Sequence, residues 1–160
     1  MAEYILKRSL TLDLPREQVF HFFADAGNLE RITPPELQFH VVTELPLNIK
    51  QGTLIDYKLR LRGFPMKWRT EITRWDPPVE FTDTQLYGPY RQWIHNHKFI
   101  EMSSNRTRIE DEVRYRLPFE PFGDAAHFLV RGQLDRIFDF RQTAVRKILA
   151  PTLDDNGDAL

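Results

Sequence analysis

The stretch VEFTDTQLYGPYRQWIHNHKF, residues 79–99, decides how this chain is read. It divides at Tyr87-Gly88-Pro89-Tyr90 into two strand-like runs, with glycine and proline at the reversal. Side chains alternate between the two faces of a strand, so Trp93, His95, His97 and Phe99 share one face. Large aromatics turn that face toward a core. The two histidines are then carried to a place where a polar group is costly unless it has a partner or a use.

The period-two pattern extends in both directions from this stretch. Strands are expected over residues 37–44, 53–62, 66–75, 79–87, 90–101 and 106–117. In the second of these, Ile55, Tyr57, Leu59 and Leu61 alternate with Asp56, Lys58, Arg60 and Arg62, which separates an inner from an outer face. The links at Arg62-Gly63-Phe64-Pro65, Trp75-Asp76-Pro77-Pro78 and Ser103-Ser104-Asn105 are as short as the one at 87–90, and short links mean an antiparallel meander.

The flanks have a different pattern. Residues 3–12 read as one more strand, with Tyr4, Leu6, Leu10 and Leu12 on a common face. Pro15 and Glu17 suit the start of a helix carrying Val19, Phe20, Phe22 and Phe23, which stops near Asp25-Ala26-Gly27. Asn28 is placed to cap a second short helix that Pro34-Pro35 ends. After PFEPFG at 118–123, Asp124 is the expected N-cap of a long helix running to Leu149, its inner face set by Ala126, Val130, Leu134, Ile137, Phe138, Arg141, Val145 and Ile148. The order β-α-α-β6-α gives an α+β class, a seven-stranded antiparallel curved sheet around a long C-terminal helix.

Composition narrows the functions open to such a domain. The length of 160 residues suits one domain, expected over 1–150, followed by an acidic tail, 151–160, expected to be disordered. A formal net charge of -1 gives no large field of one sign, so nucleic acid is not an expected partner. Four arginines at 106, 108, 114 and 116 are interrupted by Glu110 and Glu112 and read as a solvated outer face. With no cysteine, disulfides and thiolate catalysis are excluded. The charged, alternating N-terminus reads as neither signal peptide nor membrane span, so a cytoplasmic protein without stable membrane insertion is expected. Twelve Phe, five Tyr and three Trp supply bulky walls for a pocket.

With these residues in place the chain resembles the START-like (SRPBCC, helix-grip) superfamily, in particular its bacterial polyketide-cyclase/dehydrase-like branch. The resemblance runs over about 1–149. It rests on LPREQVFHFFADAGNLERITPP at 14–35, on Phe81, Asp83, Gln85, Gly88-Pro89-Tyr90, Trp93, His95, His97 and Phe99, on Thr107, Asp111 and Tyr115, and on IFDFR at 137–141. It implies a hydrophobic cavity for a small apolar or amphipathic ligand, without naming that ligand, since the superfamily holds lipid carriers, hormone-binding proteins and aromatic cyclases alike.

Pairing across the 102–105 turn locates the polar residues. One register sets Phe99 against Ile109, His97 against Asp111 and His95 against Val113; a two-residue slip keeps the faces and sets His95 against Asp111. Asp83 and Gln85 share parity with Phe81 and come near His95 and Trp93. The expected ligand-binding set is therefore Asp83, Gln85, His95, His97 and Asp111, walled by Trp68, Trp93, Phe99 and Tyr115, with Arg141 reaching over from the helix.

Three roles are open to this set: a satisfied hydrogen-bond network, orientation of a ligand's polar head, or general acid–base work by a His–Asp pair drawn from His95, His97 and Asp111. A domain with a filled core that only binds partners is a further alternative. His95-x-His97 plus a carboxylate is also a two-histidine, one-carboxylate metal set, but a bare H-x-H is a weak signal, and neither metal nor cofactor is expected. His21, His40 and His127 read as surface or packing residues.

Overall fold

The 79–99 segment folds as the central hairpin of a seven-stranded antiparallel sheet. The computed structural model describes residues 2–119 and 122–149. In chain order the elements are β1 (Tyr4–Leu12), α1 (Arg16–Ala24), three single 3-10 turns, β2 (His40–Val41), β3 (Leu54–Leu61), β4 (Phe64–Asp76), β5 (Glu80–Tyr87), β6 (Gln92–Ser103), β7 (Arg106–Arg116), α2 (Phe122–Ala125) and α3 (His127–Leu149). The sheet order is β1-β7-β6-β5-β4-β3-β2, a meander from β2 to β7 with β1 added beside the last strand. This is the helix-grip α+β architecture.

Register follows the turns. Phe99 faces Ile109, His97 faces Asp111 and His95 faces Val113. Between β5 and β6, Asp83 faces His95 and Phe81 faces His97. The inner face of β6 is buried at Trp93, His95, His97 and Phe99, and that of β7 at Thr107, Ile109, Asp111, Val113 and Tyr115. On α3 the buried residues are Leu134, Phe138 and Val145, at the helical spacing that turns one stripe to the sheet. Phe20 of α1 meets Phe81 and Phe99 edge-on at 5.9 and 5.2 Å, closing one end of the layer. Each fully buried side chain of this size contributes about 1.5–3 kcal/mol.

Several expectations need correction. The 37–44 strand shrinks to His40–Val41, because Gln38 caps the third 3-10 turn at φ 45 and Thr43 Oγ1 takes the N–H of Asp56 from the ladder. The second short helix is the run of 3-10 turns Ala26–Asn28, Glu30–Ile32 and Pro35–Leu37. Asn28 does not start it; its amide donates to Phe22 O at 2.9 Å and closes α1 instead. The β3–β4 reversal uses only Arg62 and Gly63, both at positive φ, so Phe64 and Pro65 open β4. The long helix is broken: α2 precedes α3, and Asp124 accepts from the Tyr4 hydroxyl at 2.9 Å rather than capping α3. The expected tail, 151–160, lies outside the described residues. No helix among those described is long and apolar enough to cross a membrane.

Candidate functional site

Between α3, the 3-10 turns and the inner face of β3–β6 lies a cavity of about 180 Å³. Its walls are mostly apolar, with Phe23, Leu37, Ile55, Trp68, Trp93 and Phe138 among them. The layer between sheet and helix is thus not filled by side chains. Asp83, His95 and His97 line one side of it, and Arg141 projects into it from α3.

The ladder sets His97 opposite Asp111 and His95 opposite Asp83, yet the hydrogen bonds run along the diagonals. His95 Nε2 lies 2.7 Å from Asp111 Oδ1, and His97 Nε2 lies 2.6 Å from Asp83 Oδ2. Across the ladder the contacts are longer, 3.9 Å from His95 Nδ1 to Asp83 Oδ2 and 3.3 Å from His97 Nδ1 to Asp111 Oδ1. That last pair lacks hydrogen-bond alignment, and Nδ1 of His97 has no other partner. The two imidazoles stack at 3.6 Å with 28° between their planes, and Phe81 stacks on His97 at 4.2 Å.

Burial and the partners decide where the protons sit. For His95, burial and then the neighbouring charge of His97 push the pKa down, against the pull of Asp111. For His97, burial also opposes the charge, but the contacts with Asp111 and Asp83 outweigh it and the pKa rises. Burial would raise both carboxyls; their contacts with the histidines, assisted by the charge of Arg141, reverse this and hold Asp83 low and Asp111 well below the usual range. The pair therefore favours a single proton, held on His97 in preference to His95. A neutral His95 donates through Nε2 to Asp111, which leaves Nδ1 as its lone pair.

Asp83, His95 and His97 offer donor atoms within 4.8 Å of one another, the set that could hold a metal ion. The imidazoles stack face to face, and each Nε2 is engaged by a carboxylate. A hydrogen-bonded cluster is the better description of this arrangement.

The remaining expected site residues divide. Trp68 and Trp93 stand in the cavity wall, edge to face at 5.3 Å. Asp111 lies behind His95, outside the lining. Phe99 also lies outside it and packs into the α1 aromatics, 5.6 Å from Phe23. Tyr115 is buried away from the cavity, its hydroxyl 2.8 Å from His127 Nε2, while Tyr4 stacks on His127 at 3.5 Å; His127 thereby ties the start of α3 to the sheet.

Gln85 folds back over the β5–β6 turn. Its Nε2 donates to Tyr90 O at 2.7 Å and its Oε1 accepts from Tyr90 N at 3.3 Å, so it braces the turn and does not line the cavity. His40 is exposed and pairs with Glu30 at 3.0 Å. The outer arginines 106, 108, 114 and 116 pair with Asp13, Glu110 and Glu3.

Among the lining residues outside the expected set are two tyrosines, Tyr57 and Tyr90. Burial pushes both phenols up, so both stay protonated. Tyr57 carried a signal, as the one polar tip in the inner row of β3. Tyr90 was hidden by its place in a turn.

The comparisons agree with this architecture. The model of the family described as polyketide cyclase/dehydrase and lipid transport matches residues 12–140. The Zhui aromatase/cyclase from Streptomyces sp. R1128 superposes with a TM-score of 0.71 at 16% identity, covering 93% of this chain and 98% of its own. A START superfamily protein from Mycobacterium smegmatis gives 0.68 at 8% identity, over 90% and 98% of the two chains. A norcoclaurine synthase point mutant from Thalictrum flavum, complexed with a transition-state analogue, gives 0.65 at 11% identity, over 91% and 96%. At such identities these likenesses concern the fold alone. No curated protein matches the sequence. On the family match, the chain belongs to the polyketide cyclase/dehydrase and lipid transport family.

Proposed function

We propose that the protein binds a small hydrophobic or aromatic ligand, of lipid, quinone or polyketide-like character, between the sheet and α3, with its polar end toward the His95–His97 cluster. The observation that carries this reading is the apolar cavity with a few polar groups in its wall, Asp83, His95 and His97 together on the sheet side, the usual form of a small-molecule site. Its size favours a compact ligand, since drug-sized sites run to roughly 300–1,000 Å³. The test is native mass spectrometry of protein purified gently from its own host, followed by organic extraction, together with titration of the neutral fluorophore N-phenyl-1-naphthylamine. A stoichiometric extractable mass, or saturable fluorophore binding that Ile137→Trp abolishes, supports the reading. A clean apo mass with no saturable fluorescence removes it.

A second reading, a cyclase or dehydratase, is favoured by one observation. The neutral His95 keeps Nδ1 free beside the cavity while Asp111 fixes its tautomer, the arrangement of a general base. In an enzyme, His95→Gln abolishes turnover of a bound substrate; in a carrier it leaves only a changed affinity.

A further inference from the structure

Resting on the ligand-binding reading, we propose that the Arg141 guanidinium and the Tyr57 hydroxyl form an anion subsite inside the cavity, built for the carboxylate of a compact aromatic or alicyclic acid. The carboxylates of the cluster are engaged, Asp111 with His95 and Asp83 with His97. Arg141 is the only arginine or lysine among the lining residues. Among the described residues it makes no hydrogen bond and no ion pair; its one recorded contact is with Phe23, whose ring lies 5.1 Å from Cζ. That stacking fixes one face of the guanidinium against an apolar wall and leaves its N–H edge without a protein acceptor.

Tyr57 is in the same condition. Its ring packs on Phe39 at 4.9 Å, and its hydroxyl has no hydrogen-bond partner among the described residues. Tyr57 and Arg141 line the same cavity, and the charges of Asp83 and then Arg141 both reach the Tyr57 phenol. Arg141 is half-buried, and a carboxylate accepts two guanidinium N–H groups at once. Donors left free on the protein select acceptors on the ligand.

The charges around this point allow an anion. Asp83 of β5 and Asp111 of β7 are met by the proton on the β6 imidazole pair and by Arg141 of α3, so the cluster is neutral before a ligand enters. The arriving carboxylate meets Arg141 in a cavity whose one lining carboxylate, Asp83, is already held by His97.

The experiment is competition against N-phenyl-1-naphthylamine by 2-naphthoate and by its neutral isostere 2-naphthamide, read as the ratio of their affinities within each protein, so that general effects on binding cancel. The natural sequence is expected to prefer the carboxylate by about tenfold or more, the worth of one charge-assisted hydrogen bond. In Arg141→Met the ratio falls to near one, in Arg141→Lys it is partly restored, and in Tyr57→Phe it falls by a smaller factor. Tyr57→Phe stands as the test should Arg141→Met fail to fold. A ratio near one in the natural sequence, or one unmoved by both substitutions, overturns the subsite while leaving the cavity a ligand site. Absence of displacement by either compound, with the fluorophore itself failing to bind, overturns the ligand-binding reading and the subsite with it.

Discussion

His95 Nε2 and Asp111 Oδ1 are 2.7 Å apart although the β6–β7 ladder sets Asp111 opposite His97. The partner of each imidazole is thus the carboxylate two residues along, and the stacked rings are held between them. Double-mutant cycles in urea should reproduce this geometry. His95 with Asp111, and His97 with Asp83, are expected to couple toward the upper part of the roughly 0.5–3 kcal/mol range of contacting pairs. His95 with Asp83, at 3.9 Å, should couple more weakly. Equal coupling in all three cycles would reject the diagonal pairing.

The shared proton makes stability depend on pH in a definite sense. Unfolded, both histidines titrate near the ordinary value of 6.5. Folded, His97 is raised and holds its proton, while His95 is lowered and refuses one. Above 6.5 the folded state binds more protons than the unfolded chain, so stability declines as pH rises through the folded value of His97. Below 6.5 the unfolded chain binds more, so stability declines as pH falls.

A dome centred near the imidazole range is therefore expected in denaturation between about pH 5 and pH 9. In His95→Gln the acid limb should move down to the carboxylate range, where Asp83 and Asp111 lose their contribution as pH falls through their lowered values. An unchanged acid limb in that variant would place the shared proton elsewhere.

The sheet was legible because two signals agreed: the alternation of inner and outer residues, and reversals too short for anything but antiparallel neighbours. Those reversals also set the register that brings Asp111 to His97. What stayed hidden depended on side-chain direction rather than on strand position. Parity put Gln85 with Asp83, but its carboxamide bends back to the backbone of Tyr90. Parity likewise put Phe99 and Tyr115 on the inner face, where both are buried, without telling cavity wall from packed core. The break between α2 and α3 was masked by a helical pattern continuous across it.

Cavity occupancy can be tested from the helix side. Ile137 lines the cavity, whereas Val130, two turns nearer the start of α3 and packed against the Leu134–Phe138 core, does not. Ile137→Trp should abolish binding of N-phenyl-1-naphthylamine while changing stability by about 1–3 kcal/mol at most, the range for overpacking. Val130→Trp should change stability without abolishing binding. The reverse order of effects would move the ligand out of the cavity described here.

The turn between β5 and β6 offers a test of non-additivity. Gln85 spans it with two hydrogen bonds to Tyr90, and Gly88 leaves the room it occupies, since a Cβ there would fall 2.5 Å from Gln85 Oε1. Gln85→Ala removes both bonds and is expected to cost about 1–2 kcal/mol. Gly88→Ala expels the same carboxamide and should cost a similar amount, through the same lost bonds. Because each substitution destroys the one interaction, the double variant should be scarcely less stable than either single one. Additive losses in thermal or urea denaturation would mean that Gly88 and the Gln85 brace act independently.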